Sequence, residues 1–152
     1  MQGAQALRRR LGMEQQGLID GFLDKKNVFA VVGVSRSPDK FGHQVFLDLT
    51  RAGYKVYPVN PGLEEVLGRR CYRSLAELPE RPDVVDIVVP PAVTEKVVEE
   101  CARLGIRKVW MQPGSESERA LAICRERGIE VLHRMCVMVE RRRRQERSSP
   151  SS

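Results

Sequence analysis

Aromatic residues are scarce in this chain: Phe, Tyr and Trp make up 5% of its 152 positions, with a single Trp. The core must therefore draw its volume from Val, Leu and Ile, the residues that fill a parallel sheet covered on both faces. Histidine is scarcer still. His43 and His133 are the only two, which excludes a histidine-rich metal centre, and no metal ligands are expected. The four cysteines, Cys71, Cys101, Cys124 and Cys136, include no C-x-x-C pair, so neither a zinc site nor a disulfide framework is indicated. Cys101 and Cys124 fall on helical apolar stripes and are expected to be buried. No apolar run approaches the roughly 18–20 residues that a membrane-spanning helix needs, and the start of the sequence has no apolar signal-peptide segment. A cytoplasmic protein without membrane association is the resulting expectation.

The net charge of +6 comes from the two ends. Arg8, Arg9 and Arg10 sit near one terminus, and Arg141, Arg142, Arg143, Arg144 and Arg147 near the other. Between them acids and bases are mixed as on a solvated surface, so nucleic-acid binding is not expected. This divides the chain into a basic, flexible arm (1–12), one domain (13–140), and an Arg-rich, Ser-rich tail (141–152) that is solvated and partly disordered.

Within the domain, apolar runs of strand length alternate with segments of helical period. A leading helix is predicted over 13–25, from Met13, Leu18, Ile19, Phe22 and Leu23. VFAVV (28–32) reads as a buried central strand, and a helix follows from Gly42, with Val45, Phe46 and Leu49 on one side. KVYPV (55–59) is the second strand. The stretch 63–80 suggests two short helical turns, EEVLG and SLAEL. VVDIVV (84–89) is the third strand, and Pro90-Pro91 ends it. The helix over 92–104 places Val93, Val97, Val98, Cys101 and Leu104 on one side. KVWM (108–111), a helix starting after Ser115 or Ser117, and IEVL (129–132) complete the order. Trp110 is expected in the core. Connections this long suit right-handed crossovers between parallel strands. The fold class is therefore α/β: one Rossmann-like domain, a five-stranded parallel sheet with helices on both faces.

In such sheets ligands bind beyond the carboxyl ends of the strands. The loop G-V-S-R-S-P-D-K-F-G (33–42) is the primary candidate. Gly33 permits a sharp turn, Ser35 and Ser37 offer hydroxyls, Arg36 and Lys40 offer positive charge, and the helix starting near Gly42 offers free N–H groups. That set suits a diphosphate. The loop lacks G-x-G-x-x-G, and the second strand ends in Val59-Asn60-Pro61 rather than an acid, so NAD is disfavoured. NADP remains open, because the cations could meet a 2′-phosphate.

At these residues the chain resembles the CoA-binding domain family, small stand-alone Rossmann-type proteins similar to the N-terminal domain of the succinyl-CoA synthetase α subunit. The resemblance runs from about Val28 to Glu140 through VVGVSRSPDKFG, GYKVYPVNP, CYRSLAELP, VVDIVVPP, KVWMQPGSES and RMCVMVE. It implies coenzyme A as the ligand. Gly33, Ser35, Arg36, Lys40 and Gly42 would surround the diphosphate, with Val34, Ser37 and Phe41 in the same loop. Pro58, Val59, Asn60 and Pro61 would border the adenosine, Asn60 through its amide. Pro90 and Pro91 would line the pantetheine path. The chain departs from the family at Val89-Pro90-Pro91, where a polar residue is common, and at His133-Arg134-Met135-Cys136, where Asp-Arg-Cys is common.

A synthetase of this family would need a further domain with a phosphorylatable histidine. His43 starts a helix, where it caps or touches phosphate. A Cys136–His133 pair is conceivable on the last ligand-side loop, but a structural Cys and a surface His is the plainer reading. The expected function is CoA or acyl-CoA binding without catalytic residues. The alternatives are an NADP(H)-binding Rossmann enzyme or redox sensor, and a subunit of an acyl-CoA ligase acting with a partner chain.

Overall fold

The computed structural model of the chain describes residues 2–148. Four- and five-residue segments rich in apolar side chains, with Val in each, make the central strands β1 (Val28–Val32), β2 (Lys55–Val59), β5 (Val84–Ile87) and β6 (Lys108–Met111). A hairpin, β3 (Glu65–Val66) and β4 (Arg69–Arg70), precedes β5, and β7 (Glu130–Leu132) closes the chain order. The main sheet has the order β2-β1-β5-β6-β7, and every pairing in it is parallel. The doubly wound, five-stranded fold expected from the sequence is the one observed.

Strand alternation divides the core in two. Phe29, Val31, Val84 and Trp110 face one side. There they meet Ile19 and Phe22 of α1 (Gln2–Phe22), Val45, Phe46 and Leu49 of α2 (Phe41–Arg51), and Val137 of α5 (Val137–Ser148). Ala30, Val85, Ile87, Val109 and Met111 face the other, against Val98 and Cys101 of α3 (Pro91–Leu104) and Ala120 and Cys124 of α4 (Glu118–Glu126). Fully burying each of the larger side chains contributes about 1.5–3 kcal/mol. Trp110 is in the core as expected, with its indole N–H donating to the Met135 carbonyl at 2.9 Å. Cys101 and Cys124 are buried too, and burial pushes both thiols up, Cys124 to about 11. Such thiols are inert at neutral pH.

Ser117 is the N-cap of α4. Its Oγ accepts from the Ala120 N–H at 3.0 Å and donates to Glu95 Oε2 at 3.2 Å. Ser117→Ala removes both and should lower stability by about 1 kcal/mol, read as a shift of the urea midpoint at constant slope.

Four expectations need correction. The leading segment is helical from Gln2, so α1 includes the arginines assigned to a flexible arm. The expected tail forms α5 as far as Ser148, and residues 149–152 lie outside the described residues. Arg141 holds Asp48 of α2 through Nε at 2.8 Å and Nη2 at 3.0 Å, and Arg144 and Arg147 both reach Asp20 of α1 at 3.4 Å. The EEVLG segment is a hairpin rather than a helical turn, because Leu67 (φ 50°) and Gly68 (φ 73°) reverse the chain in consecutive left-handed conformations. SLAEL does contain a short 3-10 helix, Leu75–Glu77. The third strand stops at Ile87, two residues early.

Candidate functional site

The strand order reverses between β1 and β5, and the carboxyl ends of those two strands are where an open α/β sheet takes a ligand. Gly33 follows β1 there with φ 102°, and its N–H donates to the Val59 carbonyl at 2.9 Å. A Cβ on Gly33 would lie 2.2 Å from the Val88 carbonyl oxygen, and one on Gly42 would lie 2.1 Å from the Gly33 oxygen. Both glycines are therefore required for backbone to pack on backbone, where β5, the loop and α2 converge. Gly42 lies inside α2, whose N-cap residue Lys40 supplies no side-chain hydrogen bond. The first amides of a helix are then open to an external acceptor.

The loop between Gly33 and α2 is self-bonded. Ser35 Oγ accepts from the Ser37 N–H at 3.1 Å, and the Lys40 N–H donates to the Ser37 carbonyl at 3.0 Å. His43 is buried, with Nδ1 at 2.9 Å from the Ser35 carbonyl. As a donor there it braces the loop, a positioning role in place of the expected cap. Arg36, Ser37 and Lys40 are exposed and Ser35 half-buried, so charge stands at the loop surface.

Beside this loop is an apolar cavity of about 300 Å³, bordered by Gly33, Val59, Asn60, Pro61, Leu75, Val89, Val93 and Val97. Arg73, Ser74 and Glu100 complete its edge. The structure thus brings together Gly33 and the end of the second strand, as the sequence suggested. Other expected residues fall elsewhere. Val34 is 1% exposed and packs in the core, Pro58 is buried within β2, and Phe41 is half-buried against the core. Pro90 and Pro91 are exposed at the start of α3 and do not border the cavity. The Asn60 amide, expected to face sugar or base, is engaged by backbone: Nδ2 donates to the Val34 carbonyl at 2.7 Å and Oδ1 accepts from Gly62 N–H at 2.8 Å. It ties the second strand's end to the glycine loop and sets the cavity wall.

Val93 and Val97 were assigned to the core stripe of their helix. Val93 is instead 42% exposed, whereas Val97 is half-buried and packs against the core as expected; both line the cavity. Their i, i+4 spacing marked a shared face, and the cavity opposite it is walled by the ends of β1 and β2, at Val32 and Val59, together with residues 73–75. His133 and Cys136 lie at the far end, after β7. His133 borders a different groove under α1, with Leu11, Glu14 and Leu18, and its Nδ1 is buried without a hydrogen-bond partner.

One ionisable group sits inside the sheet. Asp86 of β5 is fully buried, flanked by Val31 and Trp110, and burial pushes its carboxyl up to about 8. Gln112 opposes that shift by donating from Nε2 to both carboxyl oxygens at 2.8 and 3.0 Å. The Gln112 carbonyl in turn accepts from the Val137 N–H at 3.3 Å, the first residue of α5.

A parallel α/β sheet with an apolar cavity at its switch point, a glycine-tightened loop and cations beside it is a Rossmann-like domain. The comparisons make it specific. Residues 27–142 match the CoA binding domain family, and the chain belongs to that family. It is 33% identical over 131 residues to the acetate–CoA ligase (ADP-forming) II subunit alpha of Pyrococcus furiosus, covering 79% of this chain but 28% of that subunit. It is 32% identical over 121 residues to the uncharacterized protein YneT of Bacillus subtilis, covering 80% of this chain and 90% of that one. Among solved structures, a hypothetical protein from Pyrococcus horikoshii OT3 is similar at 36% identity and TM-score 0.81, over 84% of this chain and 90% of that one. The chain spans less than a third of the length of the ligases it matches, 20% in the case of an Archaeoglobus fulgidus acetate–CoA ligase (ADP-forming) II.

Proposed function

We propose that the domain binds coenzyme A or an acyl-CoA at the β1/β5 switch point, without turnover of its own. The observation that carries this reading is the pairing of an apolar cavity with a cationic, glycine-tightened loop. Coenzyme A has the same division, a highly anionic 3′-phospho-ADP and long uncharged portions. The diphosphate would sit at the Gly33–Gly42 loop, against Ser35, Arg36 and Lys40 and the open amides of α2. The adenosine would border Val59, Asn60 and Pro61, and the valines of α3 would cover its apolar faces. The pantetheine arm would leave past Pro90 and Pro91.

A second reading, a subunit of an acyl-CoA ligase that works with a partner chain, is favoured by the Pyrococcus furiosus relative, which is named as a subunit of such an enzyme. It keeps the same ligand and adds a partner. His43 is a poor phosphoryl carrier, since it is buried and one ring nitrogen is engaged by the loop.

A thermal-shift series with CoA, acetyl-CoA, dephospho-CoA, NADH and NADPH tests the proposal. A ligand at 100 times its dissociation constant adds about 2.7 kcal/mol of stability. CoA and acetyl-CoA are expected to stabilise, and dephospho-CoA to do so less. Stabilisation by NADPH and not by CoA would overturn the reading. Lys40→Ala should weaken CoA by about tenfold, the loss of one charge-assisted contact to phosphate, and an unchanged affinity would remove Lys40 from the site.

A further inference from the structure

The opposite edge of the sheet holds a second concave site, unrelated to the switch point. Where β1 and β2 begin, a cavity of about 590 Å³ opens between the turn after α1, the end of α2 and the outer face of α5. Lys25, Arg51, Arg141 and Arg144 come to it from three separate segments, and among the described residues Asp48 is its one carboxylate. Such a convergence is not a by-product of the arginine run in α5, because Lys25 and Arg51 are contributed by distant parts of the chain.

Three of the cations have structural duties. Arg141 grips Asp48 with two hydrogen bonds, and the pair is largely buried, 15% and 13% exposed. Lys25 donates to the Ala52 carbonyl at the end of α2, where a cation meets the negative end of the helix dipole, and lies 4.2 Å from the Tyr54 ring centroid. These duties consume the carboxylate and the helix end. Arg51 and Arg144 bring further charge to the same cavity, Arg144 while also reaching Asp20. Burial, and then Arg141 and Arg144, hold the Lys25 ammonium below its usual range. The cluster therefore carries cation–cation repulsion that an anion would relieve, with Lys25 and Arg141 already fixed in place by protein contacts. Prior fixing of the donors lowers the entropic cost of binding.

We propose that this cavity binds a small molecule carrying a condensed phosphate chain, a diphosphate or triphosphate. Its volume is that of a small-ligand pocket. Guanidinium forks match phosphate oxygens two at a time, and a condensed phosphate concentrates several charges in the space that four cations share. Among the described residues the one aromatic side chain at the cavity, Tyr54, is buried against Phe29, so no open ring among them offers a stacking face and recognition falls to the phosphates. A nucleic acid would call for an extended basic stripe rather than a concave pocket.

Titration calorimetry of the full chain with sodium triphosphate, ATP and CoA, and with sulfate as a reference anion, tests this. One triphosphate is expected to bind per chain, more tightly than sulfate, and more weakly as salt rises from 50 to 150 mM. Arg51→Gln combined with Arg144→Gln should weaken triphosphate at least tenfold while leaving CoA affinity unchanged, and Lys40→Ala should do the reverse. Arg51→Gln alone, on an exposed residue, is expected to give about a threefold loss if the double variant does not fold. ATP binding equal to triphosphate identifies the phosphate chain as the recognised part, and tighter ATP binding identifies a nucleotide; both support the site. Triphosphate binding no tighter than sulfate, binding indifferent to the two arginines, or single-stranded RNA bound at these arginines without competition from triphosphate would overturn it.

Discussion

Gly33→Ala is expected to destabilise the domain by about 3–5 kcal/mol, in the range reserved for changes that displace backbone. Two effects add. The residue holds φ at 102°, where a side chain is strained by about 1–3 kcal/mol, and the new methyl would lie 2.2 Å from the Val88 carbonyl oxygen. The backbone just past the end of β5, not a flexible side chain, would have to move. Gly12→Ala in α1 is the matched control, because nothing lies within 4 Å of its added methyl. It should be neutral or stabilising by up to about 1 kcal/mol, the helix preference of Ala over Gly. Urea denaturation of both variants reads the contrast. A Gly33→Ala loss below about 1 kcal/mol would show that the strand end yields more easily than its packing implies.

The second large effect is a pH dependence centred on Asp86. Its folded carboxyl titrates at about 8, against an ordinary value of 3.8. Between these values the folded chain holds a proton that the unfolded chain has released. The stability contributed by the protonated form is therefore complete below about pH 4 and is lost as pH rises towards 8. While that difference of one proton persists, the loss is about 1.4 kcal/mol per pH unit. Asp86→Asn removes the titration. The variant should show a flatter pH profile between 5 and 8 and exceed the parent in stability at pH 8 by a few kcal/mol. Equal slopes for the two proteins would show that Asp86 is ionised in the folded state and that Gln112 and the start of α5 suffice to hold its charge.

Much of this architecture was legible because it depends on local pattern. Short apolar runs such as VFAVV and KVWM, each followed by turn residues, became strands at the expected positions, and their spacing required crossovers. The glycine loop was legible for a related reason: only a glycine suits a sharp turn after a buried strand. What stayed hidden depends on distant partners. RRRRQER has no apolar face, so nothing near it in sequence predicts a helix; its order comes from Asp48 and Asp20, at separations of 93 and 127 residues. The Leu67-Gly68 turn was missed because Leu is a poor marker for a left-handed residue. The amide of Asn60 read as a ligand contact, since the backbone groups that claim it, at Val34 and Gly62, are fixed only by the folded loop. The valine wall of the cavity was hidden in the same way. Val93 and Val97 share a helix face with core residues, and only the fold of residues 73–75 encloses that face as a cavity wall.

The two halves of the core also differ in time. The face covered by α3 and α4 draws on residues no later than Val131 and is complete once the sheet has formed. The opposite face needs the first helix and the last together: Ile19 and Phe22 from α1, with Leu23 just after it, meet Val137 and Met138 from α5 over Trp110. During synthesis on a ribosome that side of the sheet stays open until the residues of α5 have emerged. A chain stalled short of α5 would display Trp110, Phe29 and Phe46 to the surroundings, a ready target for chaperones.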